Sequence, residues 1–308
     1  MGDFLGVQTW VGTISWGAPI ALAALGGTFS ERTGVVNIAM EGLMLISAFF
    51  SVLGAWALHN AWLGLGVGVV SAMLFALLFA WGAIRFKADQ IILGMAINTL
   101  AMGLTGYLLN TIFGYGGTPV NTPQLPTVSI PLLASIPWLG PVLFRQNVLI
   151  YALFILLVLS HFLLFHTRLG LRMRAVGEHP QAADAAGINV YRIRYLGVLL
   201  SGFFSGLAGA YLSIGALNSF NVNMSNGRGY IALAAMIFGG WTPLGAFGAS
   251  MLFGFASSIA FNLQGLGIPK DLVLMLPYVA TIVALAGVVG RTTAPAADGV
   301  PYDPSESS

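Results

Sequence analysis

Apolar runs of about 20 residues, long enough to cross a bilayer as helix, recur along the whole chain. Set against their charged or Pro/Gly breaks, they predict spans near 9–29, 34–54, 61–84, 90–113, 147–167, 195–217, 229–240, 245–262 and 271–290. The runs do not alternate in polarity as transmembrane strands do. The fold class is therefore an all-α polytopic membrane protein with about nine transmembrane segments, within a range of roughly eight to ten. The seventh run is short, since about 12 residues of helix rise only about 18 Å. Gly239-Gly240-Trp241-Thr242-Pro243 then turns the chain, so 229–262 is expected to hold a short or broken pair. Broken helices are tolerated only where they are buried in protein or line a wet cavity.

The polar interruptions give orientation. Arg85 and Lys87 sit between the third and fourth runs, and Arg168, Arg172, Arg174, Arg192 and Arg194 flank a long Ala-rich island. Lys and Arg stay on the cytoplasmic side, so 168–194 is read as a large cytoplasmic loop of short helices and a surface for a cytoplasmic partner. Arg291 follows the last run. The loops 114–146, 218–228 and 263–270 are then outside, and nine crossings put the C-terminus inside and the N-terminus outside. Six of the 14 prolines fall in 114–146, which argues against a spanning helix there, although Ile130–Phe144 can form an interfacial helix with Trp138 at headgroup depth. Residues 1–290 read as one membrane domain, and 291–308, polar and Pro-rich, as a disordered cytoplasmic tail.

Composition sharpens this. Only 7% of residues are charged, against about 25% in soluble domains. Glycine is abundant, at 40 residues, and Gly202, Gly206 and Gly209 mark a close-packing helix face. With no cysteine, disulfides, thiolate catalysis and Cys-ligated metal are excluded. A net charge of +2 does not suggest nucleic acid, and Met1-Gly2-Asp3-Phe4 lacks the basic segment of a signal peptide.

Absences narrow the chemistry further. No phosphate loop is present, so ATP hydrolysis is not expected of this chain, nor is any catalytic residue assigned. The four histidines (His59, His161, His166, His179) do not cluster, and His161 and His166 are expected on different helix faces; no metal site is assigned. Ion-coupled pumps carry relay acids inside the membrane. Glu41 alone lies well inside an apolar run, while Glu31, Arg32, Asp89 and Asp271 fall at run ends, near water. A charge mid-membrane costs about 2.5–3.5 kcal/mol on insertion scales, so Glu41 must face the interior. Helical spacing puts Gly34, Asn37, Glu41 and Met44 on one strip, which either offers hydrogen bonds to a neutral polar solute or only ties helices together. Asn98 is the equivalent candidate in the fourth run, with Asn110 nearer its outer end. Met40, Met95, Met236 and Phe238 can cushion a planar ligand or simply pack.

Four stretches carry a resemblance. Gly26-Gly-Thr-Phe-Ser-Glu-Arg-Thr-Gly-Val-Val-Asn-Ile-Ala-Met-Glu-Gly42, Gly94-Met-Ala-Ile-Asn-Thr-Leu-Ala-Met-Gly103, Gly140-Pro-Val-Leu-Phe-Arg-Gln-Asn147 and Ile237-Phe-Gly-Gly-Trp-Thr-Pro-Leu-Gly245 resemble the simple-sugar and nucleoside branch of ABC importer permeases, within the group that includes ribose and branched-chain amino-acid permeases. The resemblance covers roughly 10–290. Such permeases carry a coupling segment written Glu-Ala-Ala-x-x-x-Gly; Gln181-Ala182-Ala183-Asp184-Ala185-Ala186-Gly187 fits its spacing, with Gln for Glu. Gly187 would end that short helix as a left-handed cap.

The resemblance implies a second permease chain (identical or a paralogue), cytoplasmic ABC ATPases that hold the ATP and Mg, and an extracytoplasmic substrate-binding protein, in a bacterial cytoplasmic (inner) membrane. From the residue readings above, Asn37, Met40, Glu41, Asn98 and Phe238 are the pathway candidates and Arg172 and Arg174 belong to the partner surface; the resemblance places Gln181, Ala182, Ala183, Asp184 and Gly187 at the ATPase contact. Purine nucleosides are the expected cargo, a ribose-like sugar the alternative; a stand-alone ion-coupled transporter is disfavoured by the single acid Glu41.

Overall fold

The computed structural model describes residues 6–114, 122–131, 133–263, 275, 279 and 293–303. Five of the helices begin where a polar side chain takes the first free N–H groups. Asn60 accepts from Trp62 and Leu63, Asp89 from Ile91 and Ile92, Asn147 from Leu149, Thr167 from Gly170, and Asn189 from Arg192. In chain order the helices are α1 (Val7–Glu31), α2 (Met40–Leu58), α3 (Ala61–Ala80), α4 (Gln90–Phe113), α5 (Leu139–Leu143), α6 (Val148–His166), α7 (Arg168–Glu178), α8 (Pro180–Ala185), α9 (Val190–Ala210), α10 (Arg228–Phe238) and α11 (Pro243–Leu263). Helix α3 runs on into a π-helical turn at Trp81–Arg85, and α9 into another at Tyr211–Leu217.

Eight of the nine expected runs are helical here, and seven of these helices are long and apolar enough to cross a bilayer. The run at 271–290 lies outside the described residues except for residues 275 and 279. Helix α10, with 11 residues, is too short, as its sequence suggested. Two expected helices need correction. The second run does not enter helix at 34: Gly34 takes φ +82°, and the Asn37 side chain accepts the Ala39 N–H, so 32–39 leaves the helical path and α2 starts at Met40. Ile130–Phe144 is not one helix either. Its prolines leave only a 3-10 turn at Leu133–Ser135 and α5, and Trp138 sits at φ +72°. Beside it, β1 (Thr127–Ser129) pairs antiparallel with β2 (Arg145–Asn147), a small exception to the all-α class.

Helices α1, α2 and α9 are buried almost all round, and α3, α4, α6 and α11 surround them with outward apolar faces such as Leu74, Leu78, Ile92, Ile155 and Val158. Small residues set the central spacing. A Cβ on Gly202 or Gly206 would press into α3 at Ala76 and Val69, and one on Gly209 would lie 2.0 Å from the Met44 carbonyl of α2. Ser47 donates to the Gly206 carbonyl at 2.5 Å in the same seam. The expected packing face is therefore real, and it serves two neighbours.

The polar tail, expected to be disordered, is folded over 293–303. Ala297 donates its N–H to the Gly177 carbonyl at 2.9 Å, Arg194 donates to the Val300 carbonyl at 2.9 Å, and Tyr302 is buried edge-on against Tyr191. Asp303 pairs with Lys87. Its composition cannot build a core, but docking on one already built requires only a few such contacts.

Candidate functional site

Between α1 and α2 the chain is non-helical, and its backbone groups find scattered partners. Ser30 Oγ donates to the Val35 carbonyl, the Val36 N–H donates to Gln90 Oε1, and Asn98 Nδ2 donates to the Ile38 carbonyl. Arg32 donates to the Trp241 and Gly240 carbonyls just past the C-terminus of α10. Glu41 lies at its other end, so 32–41 runs beside α10 in the opposite direction. The short helix and the broken entry to α2 satisfy one another, which is how non-helical backbone is held inside a membrane bundle.

Glu41 stands at the join. It is 7% exposed, and its carboxylate accepts the Gly227 N–H on Oε1 at 2.8 Å and the Gly229 N–H on Oε2 at 2.7 Å. These are the free donors at the N-terminus of α10, the positive end of its dipole. A Cβ on Gly229 would sit 2.5 Å from Glu41 Cα, so only glycine permits this approach. Both carboxylate oxygens are engaged in the cap.

Asn98 is equally committed: Oδ1 accepts the Gly42 N–H at 2.7 Å, and Nδ2 donates to the Ile38 carbonyl and the Tyr230 hydroxyl, each at 3.0 Å. Glu41 and Asn98 border a cleft of about 360 Å³, within the usual range of small-molecule sites, together with Thr99, Met102, Asn223, Asn226 and Tyr230. It opens on the face formed by α4 and the start of α10.

Of the expected pathway residues, the structure brings Glu41 and Asn98 to this cleft and leaves the others elsewhere. Asn37 is fully buried, donating to Ser201 Oγ at 2.9 Å, and does not share a helix face with Glu41. Met40 meets Met236 over Gly27, and Phe238 stacks on Phe253 with centroids 5.9 Å apart. Met95 is exposed on α4. Glu31, expected near water, is 3% exposed and accepts from Trp241 Nε1 at 2.6 Å. Asn223, Asn226 and Tyr230 were missed. Their signal was the cluster Asn218, Asn221, Asn223 and Asn226, which reads as an ordinary loop from sequence.

At the arginine-rich end, α7 and α8 form a bent ledge. Gln181, Ala182 and Asp184 face outward, and Ala183 packs inward. Gly187 has φ +80° and donates to the Asp184 carbonyl while Ile188 donates to Ala183, closing α8 with a left-handed residue. Arg172 is exposed; Arg174 turns over the Phe165 ring at 5.1 Å instead of joining the outer face. A Cβ on Gly177 would lie 2.4 Å from the Arg32 carbonyl, so the ledge touches the broken segment directly. The tail lies across this junction. Asp298 faces Glu31, and burial pushes its carboxyl up to about 7, partly opposed by its hydrogen bonds to Glu31 and Gly299 and by Arg194. Among the described residues no three potential ligands gather to hold a metal. His161 and His166, expected on different faces, do come within 5.8 Å.

Comparison with known proteins adds three observations. The family model described as "branched-chain amino acid transport system / permease component" matches residues 10–285. The guanosine ABC transporter permease protein NupQ of Bacillus subtilis is 47% identical over 94% of both chains, and the nucleoside ABC transporter permease protein NupC of Lactococcus lactis is 40% identical over 93% of this chain and 94% of its own. An inward-facing metal-chelate type ABC transporter shares the fold, with a TM-score of 0.51 at 15% identity over 91% of this chain and 85% of that one.

Proposed function

Since the chain belongs to the family of branched-chain amino acid transport system permease components, we propose that, as the permease subunit of an ATP-binding cassette importer, it carries purine nucleosides along a path that passes the cleft at Glu41 and Asn98. The observation that supports the path is a cleft with polar groups in its lining, at the meeting of the short helix α10 and the broken entry to α2, beside helices with exposed apolar faces. Its open side is a poor surface to present to lipid, so it is assigned to the contact with a second permease chain. The names of NupQ and NupC support the nucleoside cargo.

The ledge of α7 and α8 is the coupling surface. Gln181, Ala182 and Asp184 offer a small face with a single carboxylate to a groove on a cytoplasmic ATPase, which binds the ATP and Mg. Closure of the ATPases would push α8, and the Gly177–Arg32 contact would pass the movement to the broken segment beside the cleft. In this arrangement the ledge is cytoplasmic, the start of α1 is outside, and an extracytoplasmic protein delivers the solute.

The test is uptake of labelled guanosine by proteoliposomes holding this chain with its co-purified partners. ATP-dependent uptake that excess ribose leaves unchanged is the expected result. Competition by ribose would move the cargo to simple sugars, and uptake without ATP would overturn the importer reading.

A further inference from the structure

The cleft's polar groups divide into those already used and those left free. Both oxygens of Glu41 are bonded to α10, and Asn98 already accepts one hydrogen bond and donates two, so both of its N–H groups are used. Thr99 donates to the Met95 carbonyl. Tyr230 differs: its hydroxyl accepts from Asn98, which fixes the oxygen and leaves its own proton to donate. Its ring is 46% exposed on the cleft side of α10. The carboxamides of Asn223 and Asn226 are exposed and have no side-chain partner among the described residues, and each offers a donor and an acceptor. Both residues hold left-handed backbone, φ +57° and +45°, in the turns that lead into α10.

The free groups are thus an aromatic face with an oriented donor, two carboxamides and the thioether of Met102. Arg228, the nearby cation, turns away: it donates to the Met224 and Ser225 carbonyls and lies over Trp16. The positive end of α10 is already neutralised by Glu41, so the cleft offers nothing to a phosphate. What fits is a neutral, planar solute with donors and acceptors along its edge.

We infer that Tyr230, Asn223 and Asn226 are the specificity-determining residues of the path, with Tyr230 stacking on and donating to a nucleobase while the two asparagines read its edge. This rests on the nucleoside reading above. It assigns to the permease itself a preference among bases, in addition to whatever the delivering protein selects.

The experiment uses the assembled transporter in proteoliposomes, with guanosine and cytidine supplied together and each labelled differently. Their uptake ratio is read within one preparation, so a loss of folded protein cancels. Tyr230→Phe keeps the ring but removes the donor, and with it the acceptor that Asn98 uses; it is expected to lower the guanosine-to-cytidine uptake ratio about two- to tenfold, the range for one hydrogen bond. Tyr230→Ala should lower the ratio further, and the Asn223→Ala/Asn226→Ala pair should shift it more than threefold. Rates and ratios unchanged in every variant would overturn the assignment. A parent transporter that takes up neither nucleoside would instead overturn the cargo reading, and this inference with it.

Discussion

Removing the Glu41 carboxylate tests whether a charged cap inside the bundle holds α10 in place. Glu41→Ala deletes two hydrogen bonds to a charged acceptor, at 2.8 and 2.7 Å, each worth about 1.5–3 kcal/mol. The gross loss is about 3–6 kcal/mol, and the desolvation cost of the carboxylate disappears with it. A net destabilisation of about 2–4 kcal/mol is expected. Glu41→Gln keeps one neutral acceptor but turns its NH2 toward the second N–H, so its loss should be smaller, about 1–3 kcal/mol. The assay is unfolding of the purified chain in mixed micelles with increasing sodium dodecyl sulfate, followed by far-ultraviolet circular dichroism. Hydrogen exchange at the Gly227 and Gly229 amides reports the cap directly, and it should accelerate in both variants. Thr111→Ala, on the exposed side of α4, is the neutral control. If both Glu41 variants unfold within about 0.5 kcal/mol of the parent, the capping account is wrong.

Three further outcomes follow from the same geometry. Gly187→Leu meets open space but must adopt φ +80°, a strain of about 1–2 kcal/mol; uptake per ATP should fall while membrane abundance, read by immunoblot, is unchanged. Gly209→Leu drives a side chain into the Met44 carbonyl and should sharply lower both yield and thermal midpoint in detergent. The Asp298 carboxyl sits near 7 when docked, above its ordinary value of 3.8. The docked tail therefore holds a proton that the undocked tail has lost, and docking is strongest below about pH 4 and weakens as pH rises through 7. Protection of the Ala297 amide from hydrogen exchange, corrected for intrinsic rate, should fall over that window in the parent but not in Asp298→Asn.

Helix positions were legible because bilayer thickness imposes a run length, and eight of the nine expected runs lie where helices form. The break at 32–39 was not, since Val35, Val36, Ile38 and Ala39 are as apolar as any helix. Only Gly34 and the Asn37 turn divert it. Glu41 was rightly placed inside the bundle, yet its partner is the backbone of Gly227 and Gly229, which no side-chain pattern announces. Asn37 and Phe238 looked like pathway residues because composition gives a residue's chemistry and not its direction. Tyr230 lies within a run that reads as plain helix. The tail was misread because its few anchors, Val300, Tyr302 and Asp303, are scattered among Ala and Pro.

The cap on α10 also sets a schedule for synthesis. Glu41 and Gly227 are 186 residues apart in the chain. At about 5–20 residues per second, some 10–40 s pass between the emergence of the carboxylate and that of its partner. Through that interval the broken segment has neither α10 beside it nor Trp241 beneath Arg32. Until then α2 carries its acid without the cap, and a chain that stops short of residue 227 is left with an unmatched acid in an apolar run. Quality control of this membrane protein can thus act on a single late event, the arrival of eleven residues.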